Sequence, residues 1–592
     1  MITKPLFKPH LSSETALYIL AFTLALSLRL FRLGAAPLTD FEASWALQAW
    51  DLVQGNKPAL AAQPAYVILT DGLFYLSTGT NALARLIPAL AGSLLVFWPW
   101  LFKRFSAQAP RLKRVGLLLA FFLALDPGLV VLSRTAGSPV TALSFCLLTL
   151  GLIVDRRPKL AGVTGALALL SGPALLEGLL GLGLAGLAAW LLNNAGWLNP
   201  PEPQQETQST PQAFAWRQMF SFGAGAGLLV GTGLLWVPQG LGALAATFPA
   251  YLNGWITPSN IPILKILAAL LFYQPLAILF GIVGTLSAWF HLSSRNPIDY
   301  VGRLLSLWAA LALSAAVIYP GHQVFSAAWA LVPLWGLASL ALAGLFPENE
   351  EDFSLTAALG HAGLTALFLV LIGHNLLRLE SLSGKMILYL AVVGGIFLMG
   401  LIVALLVTAG WSGKTALRGL SWGTGSVLLV LMLSFTWKAT VLYPNGANEL
   451  WSIGPAAGQL NELSGTVSDL SWRSKGQPYE LDLIITSDAP SVRWAFRFFE
   501  NAQYKPLVSS PATPSVIITS SSQQSLALPA SYRGQDLVLR ETSAWPGIIP
   551  ANILRWVAFR QAPIARETVI LWARNDLFPG GIAESQPATT AP

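Results

Sequence analysis

Residues 37–55 read PLTDFEASWALQAWDLVQG, an acidic, aromatic-rich island that follows directly on a very apolar run at 16–33. Almost everything else before residue 440 is lipid-soluble. Thr39-Asp40-Phe41-Glu42 has the spacing of a capping box, in which the threonine accepts from the helix start and the glutamate reaches back. Phe41, Trp45, Leu52 and the alanines recur at helical spacing, with Asp40, Ser44, Gln48 and Asp51 between them. The pattern predicts a short helix in the interface plane of a membrane, with Trp45 and Trp50 at headgroup depth. On local grounds Glu42 is a cap and Asp40 complements the helix dipole. A carboxylate fixed beside a bilayer can also take a proton from an acceptor or hold a metal ion.

The surrounding composition puts that island in a polytopic α-helical membrane protein. Of 592 residues 54% are hydrophobic and 11% charged, with mean hydropathy +0.59, where soluble chains carry about 25% charged residues. The single Cys146 excludes a disulfide framework and a cysteine metal site. The net charge of +7 is no nucleic-acid signal, because the basic residues sit in short loops beside apolar runs, where they set topology. Lys4 and Lys8 precede the first run, which contains Arg29 and Arg32 and lacks a small-residue cleavage site. It reads as a retained span.

About thirteen runs have spanning length: 15–33, 82–102, 115–132, 137–154, 160–173, 175–193, 218–237, 264–290, 303–319, 323–346, 356–377, 385–410 and 418–440. The fifth is short and is broken from the sixth at Leu170-Ser-Gly-Pro173, as in a re-entrant hairpin. Basic clusters at Lys103–Arg114, Arg156–Lys159, Arg295 and Arg303, and Lys414 and Arg418 fall on one side if the N-terminus is cytoplasmic. The first outer loop, 34–81, and everything after 441 are then extracytoplasmic. Residues 194–215 read as a flexible cytoplasmic linker. The acidic run at 348–352 falls in a cytoplasmic loop and counts little against this topology. The organisation is therefore a membrane domain over 1–441, a small α/β domain over 442–580 and a disordered tail over 581–592. In the second domain, helices at 459–472, 492–500 and 553–559 alternate with strands at 479–485, 516–519, 536–539 and 568–573.

Several motifs fail. Gly413-Lys414-Thr415 lacks the leading glycine of a phosphate loop, since position 408 is Thr. No HExxH or paired-cysteine pattern is present, and the five histidines are scattered. On the outer face lie Asp40, Glu42, Asp51, Asp71, Arg85, Arg134, Tyr251, Asn253, Tyr319 and His322. Ionisable groups at membrane depth are costly, so a functional site is the default reading. Either arginine alone snorkels to headgroups. Together, across from Asp40, they point to an anion site such as a lipid phosphate.

The succession PLTDFEA at 37–43, Pro64-Ala-Tyr66, Leu73-Phe-Tyr75, ARLIPALAG at 84–92, Asp126-Pro127 and Leu132-Ser-Arg134 resembles the GT-C fold membrane glycosyltransferases. It is most similar to the family-39-like group of protein mannosyltransferases and aminoarabinose lipid A transferases. The resemblance covers residues 15–160 by motif and the later spans by topology. Val492–Arg497, Ile553–Arg560 and Leu571–Phe578 resemble the C-terminal part of large bacterial and archaeal relatives, some of them flippase-associated. The resemblance implies transfer of a sugar from a polyprenyl-phosphate donor to a lipid, glycan or protein acceptor at the outer face of the plasma membrane. It implies that Asp40 is base or acceptor-orienting residue, with Glu42 as second carboxylate. Relatives commonly show adjacent Asp-Glu, where Phe41 intervenes here. Relatives often carry an acid shortly after the Ser-Arg pair, where Ser133-Arg134 is followed here by Thr-Ala-Gly-Ser-Pro139; this departure argues against a bound divalent metal, and no cofactor is expected.

In the mechanism so implied, Asp40 aligns or deprotonates an acceptor hydroxyl. Arg85 and Arg134 stabilise the leaving phosphate, and Trp45, Trp50 and Tyr66 stack on sugar or line the lipid path. His322 joins the substrate-binding set. The partners are the donor, the acceptor and membrane lipids, with no nucleic acid. A transporter predicts charges deep in several spans and repeated halves; only Glu177 stands out as a buried charge. The alternative is a catalytically inactive envelope scaffold or flippase-associated protein, supported by the missing acid after Arg134.

Overall fold

Each of the thirteen apolar runs forms helix, and the polar island forms a capped helix between the first two. The computed structural model describes residues 12–103, 110–201, 214–290, 295–346, 353–379, 386–442, 446–508, 513–521, 530–545 and 547–580. Lys4, Lys8, most of the linker, the acidic run at 348–352 and the tail lie outside the described residues.

In chain order the helices of the membrane part are α1 Ser13–Leu30, α2 Asp40–Val53, α3 Pro64–Leu76, α4 Asn81–Leu94, α5 Pro110–Leu125, α6 Pro127–Ser133, α7 Val140–Val154, α8 Pro158–Leu169, α9 Ala174–Asn194, α10 Trp216–Gly231, α11 Gln239–Ala245, α12 Thr247–Ile256, α13 Ile263–Tyr273, α14 Pro275–Phe290, α15 Pro297–Ile318, α16 Ala328–Ala343, α17 Leu355–Leu379, α18 Met386–Gly410 and α19 Gly413–Trp437. Eight helical stretches among the described residues are long and apolar enough to cross a membrane, and ten if each of two bent pairs counts as one span. The chain is a multi-pass membrane protein. Thirteen spans are not found among the described residues, for two physical reasons. Runs 137–154, 160–173 and 218–237 give helices of 15, 12 and 16 residues, short of the ~20 that a bilayer needs. Runs 115–132 and 264–290 break at Pro127 and Pro275, with bends of 55° and 91°, because proline has no N–H and clashes with the preceding turn.

The main core lies where α5–α7, α9 and α13–α16 meet α19, around the fully buried Trp335 and Tyr273. Phe122 stacks on Trp335 at 4.5 Å. Close approach explains some glycines: a Cβ on Gly178 would sit 2.1 Å from the Trp329 ring.

After residue 446 the chain forms a six-stranded sheet with β1 Ala456–Ala457, β2 Leu483–Ile485, β3 Ala502–Tyr504, β4 Val516–Ser520, β5 Tyr532–Ser543 and β6 Ile564–Arg574, in the order β1-β5-β6-β4-β2-β3. β2 pairs parallel with β3 and β4, and the other pairings are antiparallel. Helices α20 Leu460–Lys475, α21 Pro490–Ala495 and α22 Ile553–Phe559 accompany it. Leu460, Leu463, Val467, Ile485, Val492, Ile518 and Leu571 share its core. β2 (Leu-Ile-Ile) and β4 (Val-Ile-Ile-Thr-Ser) are short apolar runs, as buried strands are, whereas β5 and β6 are long and polar over much of their length.

This α/β part is pinned to the bundle. Arg560, in the left-handed conformation at the end of α22 (φ 57°), donates to Glu449 Oε1 at 3.0 Å. Its guanidinium lies 4.6–4.8 Å from the ring centroids of Tyr273, Phe435 and Trp556. Tyr273 donates its hydroxyl to the other Glu449 oxygen. Arg560 Nη1 donates to the Trp556 carbonyl at 3.2 Å, while its Nη2 is buried without a hydrogen-bond partner.

Candidate functional site

The site is built from α2 upward. Thr39 and Glu42 close a capping box, and this determines where the Glu42 carboxylate lies. It is fully buried. Oε1 accepts from Arg85 Nε at 2.7 Å and from the Ala136 amide at 3.1 Å. Oε2 accepts from Arg85 Nη2 at 2.7 Å, the Thr39 amide at 3.0 Å and the Thr39 hydroxyl at 3.2 Å. Arg85, from α4, gives its other donors to the carbonyls of Leu33, Ala36 and Pro37 at 2.8–3.0 Å. The pair ties α2, α4 and the link after α1 into one rigid block.

Arg134, just past α6, donates Nη1 to the carbonyls of Leu28, Arg29 and Phe31 at 2.9–3.0 Å, and Nη2 to Thr440 at 3.1 Å. Those carbonyls are orphans at the end of α1, where a cation is favoured by the helix dipole. One turn deeper, the buried Arg29 does the same for α5 through Leu123 and Ala124. Arg32, Arg85 and Arg134, with Leu33, Ala36, Val131 and Ala439, line one small cavity. Arg32 is exposed and sits at φ 50°.

Asp40 faces the other way, into the α/β domain. Its Oδ1 accepts from the Ser491 amide at 3.0 Å and the Ser491 hydroxyl at 2.6 Å. Its Oδ2 is 2.5 Å from Arg540 Nη2, with side chains 25% and 27% exposed. A register shift between Val538 and Arg540 re-aims β5, as bulges do. Around this triad the domain grips the loop. Asn461 donates to the Ala35 carbonyl at 3.2 Å, and Trp494 Nε1 donates to Asn81 Oδ1 at 2.7 Å. Arg497 donates to the Gly79 carbonyl and lies 3.9 Å over the Trp494 ring; burial pushes its guanidinium down to about 10, against a smaller opposing effect of Tyr479. Trp494 is itself buried in the core of the first loop, with Leu38, Ala46, Tyr66 and Phe74.

The expected aromatics are packing residues in this arrangement. Trp45 meets Tyr66 edge-on at 6.4 Å and lies against Gly137, where a Cβ would sit 2.3 Å from the Trp45 ring. Trp50 meets Phe74 and Phe498 edge-on. Tyr66 is buried and donates to the Ala84 carbonyl at 2.8 Å. His322 is buried elsewhere, its ring nitrogens 2.7 and 2.8 Å from the carbonyls of Tyr319 and Ile261. Glu177 lines a second small cavity with Tyr251, Tyr319, Ser326 and Trp329.

The structure thus brings Asp40, Glu42, Arg85, Arg134, Trp45, Trp50 and Tyr66 into one region and leaves His322 apart. Among the described residues no three of His, Cys, Asp and Glu converge on a metal position. The donor set around α2 does not fit a divalent cation: Asp40 faces Arg540, and Glu42 faces Arg85. Sequence reasoning missed Ser491 and Arg540. No periodicity announces a contact across 451 positions. Arg32 was within reach, as the third arginine beside the same loop.

No family model matches the chain, and no curated protein matches it. Solved structures do. ArnT from Cupriavidus metallidurans bound to undecaprenyl phosphate is 14% identical, with 94% of this chain and 97% of that chain covered at a TM-score of 0.48. The same protein in the apo state is 13% identical, with 95% and 98% covered at 0.49. The Archaeoglobus fulgidus oligosaccharyltransferase in complex with Zn and sulfate is 12% identical, with 83% and 62% covered at 0.35.

Proposed function

We propose that the chain is a GT-C-type membrane glycosyltransferase that moves a sugar from a polyprenyl-phosphate donor to a hydroxyl acceptor at the outer face of the membrane. The observation that carries this reading is the cavity shared by Arg32, Arg85 and Arg134, set in the same block as the helix that Asp40 opens. The exposed Arg32 at this cavity, backed by the buried Arg85 and Arg134, favours a phosphate. The ordered motifs of residues 37–134 point to the same chemistry.

In the reaction the acceptor oxygen attacks the anomeric carbon, and the bond from that carbon to the phosphate oxygen breaks. The acceptor proton passes to Asp40, and the negative charge stays on the polyprenyl phosphate. Arg32 meets that charge from the exposed side of the cavity, and Arg134, whose donors are on four backbone carbonyls, holds the wall beside it. Arg85, with its donors on Glu42 and three carbonyls, positions the wall. Glu42 is a positioning residue for the same reason. The N-terminus is cytoplasmic and the α/β domain extracytoplasmic in this reading, and no cofactor takes part.

The test is transfer by purified protein in nanodiscs with a panel of radiolabelled polyprenyl-phosphate sugars, wild type beside Asp40→Asn. Transfer by wild type alone supports the reading. A second reading, an inactive envelope scaffold, is favoured by the way Ser491 and Arg540 occupy Asp40. Absence of turnover with every donor, with equal donor binding by wild type and variant, selects it.

A further inference from the structure

Ser491 meets Asp40 as a substrate would meet a base. Its hydroxyl donates to Oδ1 at 2.6 Å, while Arg540 holds Oδ2 at 2.5 Å. A base within hydrogen-bond reach of a hydroxyl and oriented by a third group is the arrangement that hydroxyl activation needs. The hydroxyl here belongs to the α/β domain. The local alternative is that Asp40 simply caps the start of α21 through the Ser491 amide. Capping requires only the amide, and the shorter contact is to the hydroxyl. Trp494, Asn461 and Arg497 hold the neighbouring contacts independently of Asp40, so Ser491 Oγ can give way without the domain leaving. Asp40 and Arg540 are each about a quarter exposed, while Ser491 is buried, so an acceptor reaches Oδ1 only when the Ser491 side chain moves aside.

Resting on the reading of Asp40 as the base, we infer that Ser491 holds the place of the acceptor hydroxyl and competes with it, while Arg540 orients the carboxylate. Ser491 and Arg540 are positioning residues for acceptor selection. An acceptor that replaces Ser491 Oγ donates one hydroxyl to Oδ1 and leaves Oδ2 on Arg540. A hydroxyl flanked by an anionic group gains from the Arg540 guanidinium as well.

Two measurements test this. The first is carboxyl labelling of the full-length protein in nanodiscs with a water-soluble carbodiimide and glycine ethyl ester, read by peptide mass spectrometry. A hydrogen bond to a charged group is worth about a tenfold factor, so Ser491→Ala is expected to raise labelling of Asp40 about tenfold. Ser491→Thr, which keeps the hydroxyl, is expected to stay near wild type. Arg540→Gln provides a second variant and also raises labelling. The second measurement is acceptor kinetics: Ser491→Ala lowers the acceptor KM about tenfold, whereas Arg540→Gln lowers kcat. Equal labelling of Asp40 in wild type, Ser491→Ala and Arg540→Gln overturns the inference, with or without measurable transfer. Raised labelling with an unaltered acceptor KM in Ser491→Ala overturns it too. Retained transfer in Asp40→Asn instead overturns the assignment of Asp40 as base.

Discussion

Glu42 and Arg85 meet through two parallel hydrogen bonds of 2.7 Å, both side chains almost wholly buried. Fork-to-carboxylate pairing of this kind is strong and directional. Removing one partner leaves the other charged and buried, at a cost of about 3–5 kcal/mol. Arg85→Met is therefore expected to lower the melting temperature in detergent sharply. Arg85→Met combined with Glu42→Leu is expected to be less destabilised than the sum of the single changes, which a double-mutant cycle measures.

Asp40 behaves differently because its pair with Arg540 is partly exposed. Such pairs contribute about 0–1 kcal/mol. Asp40→Asn is expected to express and melt like wild type while transfer falls about 10²–10⁴-fold, the contribution of a positioned base. A melting curve beside a transfer assay separates the two effects.

Arg32 lines the arginine cavity from its exposed side. Arg32→Ala is expected to weaken binding of polyprenyl phosphate about tenfold, the worth of one charge-assisted hydrogen bond, with normal folding. Because Arg32 sits at φ 50°, Arg32→Gly is expected to weaken binding equally and to melt no lower than Arg32→Ala. Fluorescence titration in nanodiscs reads the first effect and thermal melting the second.

Asp51 supplies a pH signature. Burial raises its carboxyl above the ordinary value, and the Asn56 side chain and Arg493 only partly oppose this. An acid with a raised folded pKa favours folding most below its unfolded pKa of about 3.9, and that benefit is lost as pH rises through the folded value. Asp51→Asn is expected to melt higher than wild type at pH 7 and to lose this advantage near pH 3. Equal differences at the two pH values would count against a raised Asp51.

Much of the local structure was legible because it depends on near neighbours. The Thr39–Glu42 spacing gave the α2 cap. The apolar run at 553–559 gave α22, Ile553–Phe559. The motif order at 37–134 placed Arg85 and Arg134 beside one loop, and the structure has both at one cavity. Span length was less legible. Hydropathy sees apolar residues, whereas a span also needs an unbroken axis, and Pro127 and Pro275 interrupt it. The partners of Asp40 were illegible: Ser491 and Arg540 reach it through the packing of Trp494 and a register shift in β5, neither of which leaves a periodic trace.

Trp494 has a consequence for how the protein is made. Asn81, its hydrogen-bond partner, leaves the ribosome 413 residues earlier. At about 5–20 residues per second, the first loop waits roughly 20–80 s for the side chain that fills its core. During that interval the early spans are inserted but α2 has a hole beneath it and Asp40 has no cover. A message truncated upstream of position 494 therefore yields a chain that is threaded into the bilayer and permanently unfinished at its front, a natural target for membrane proteases.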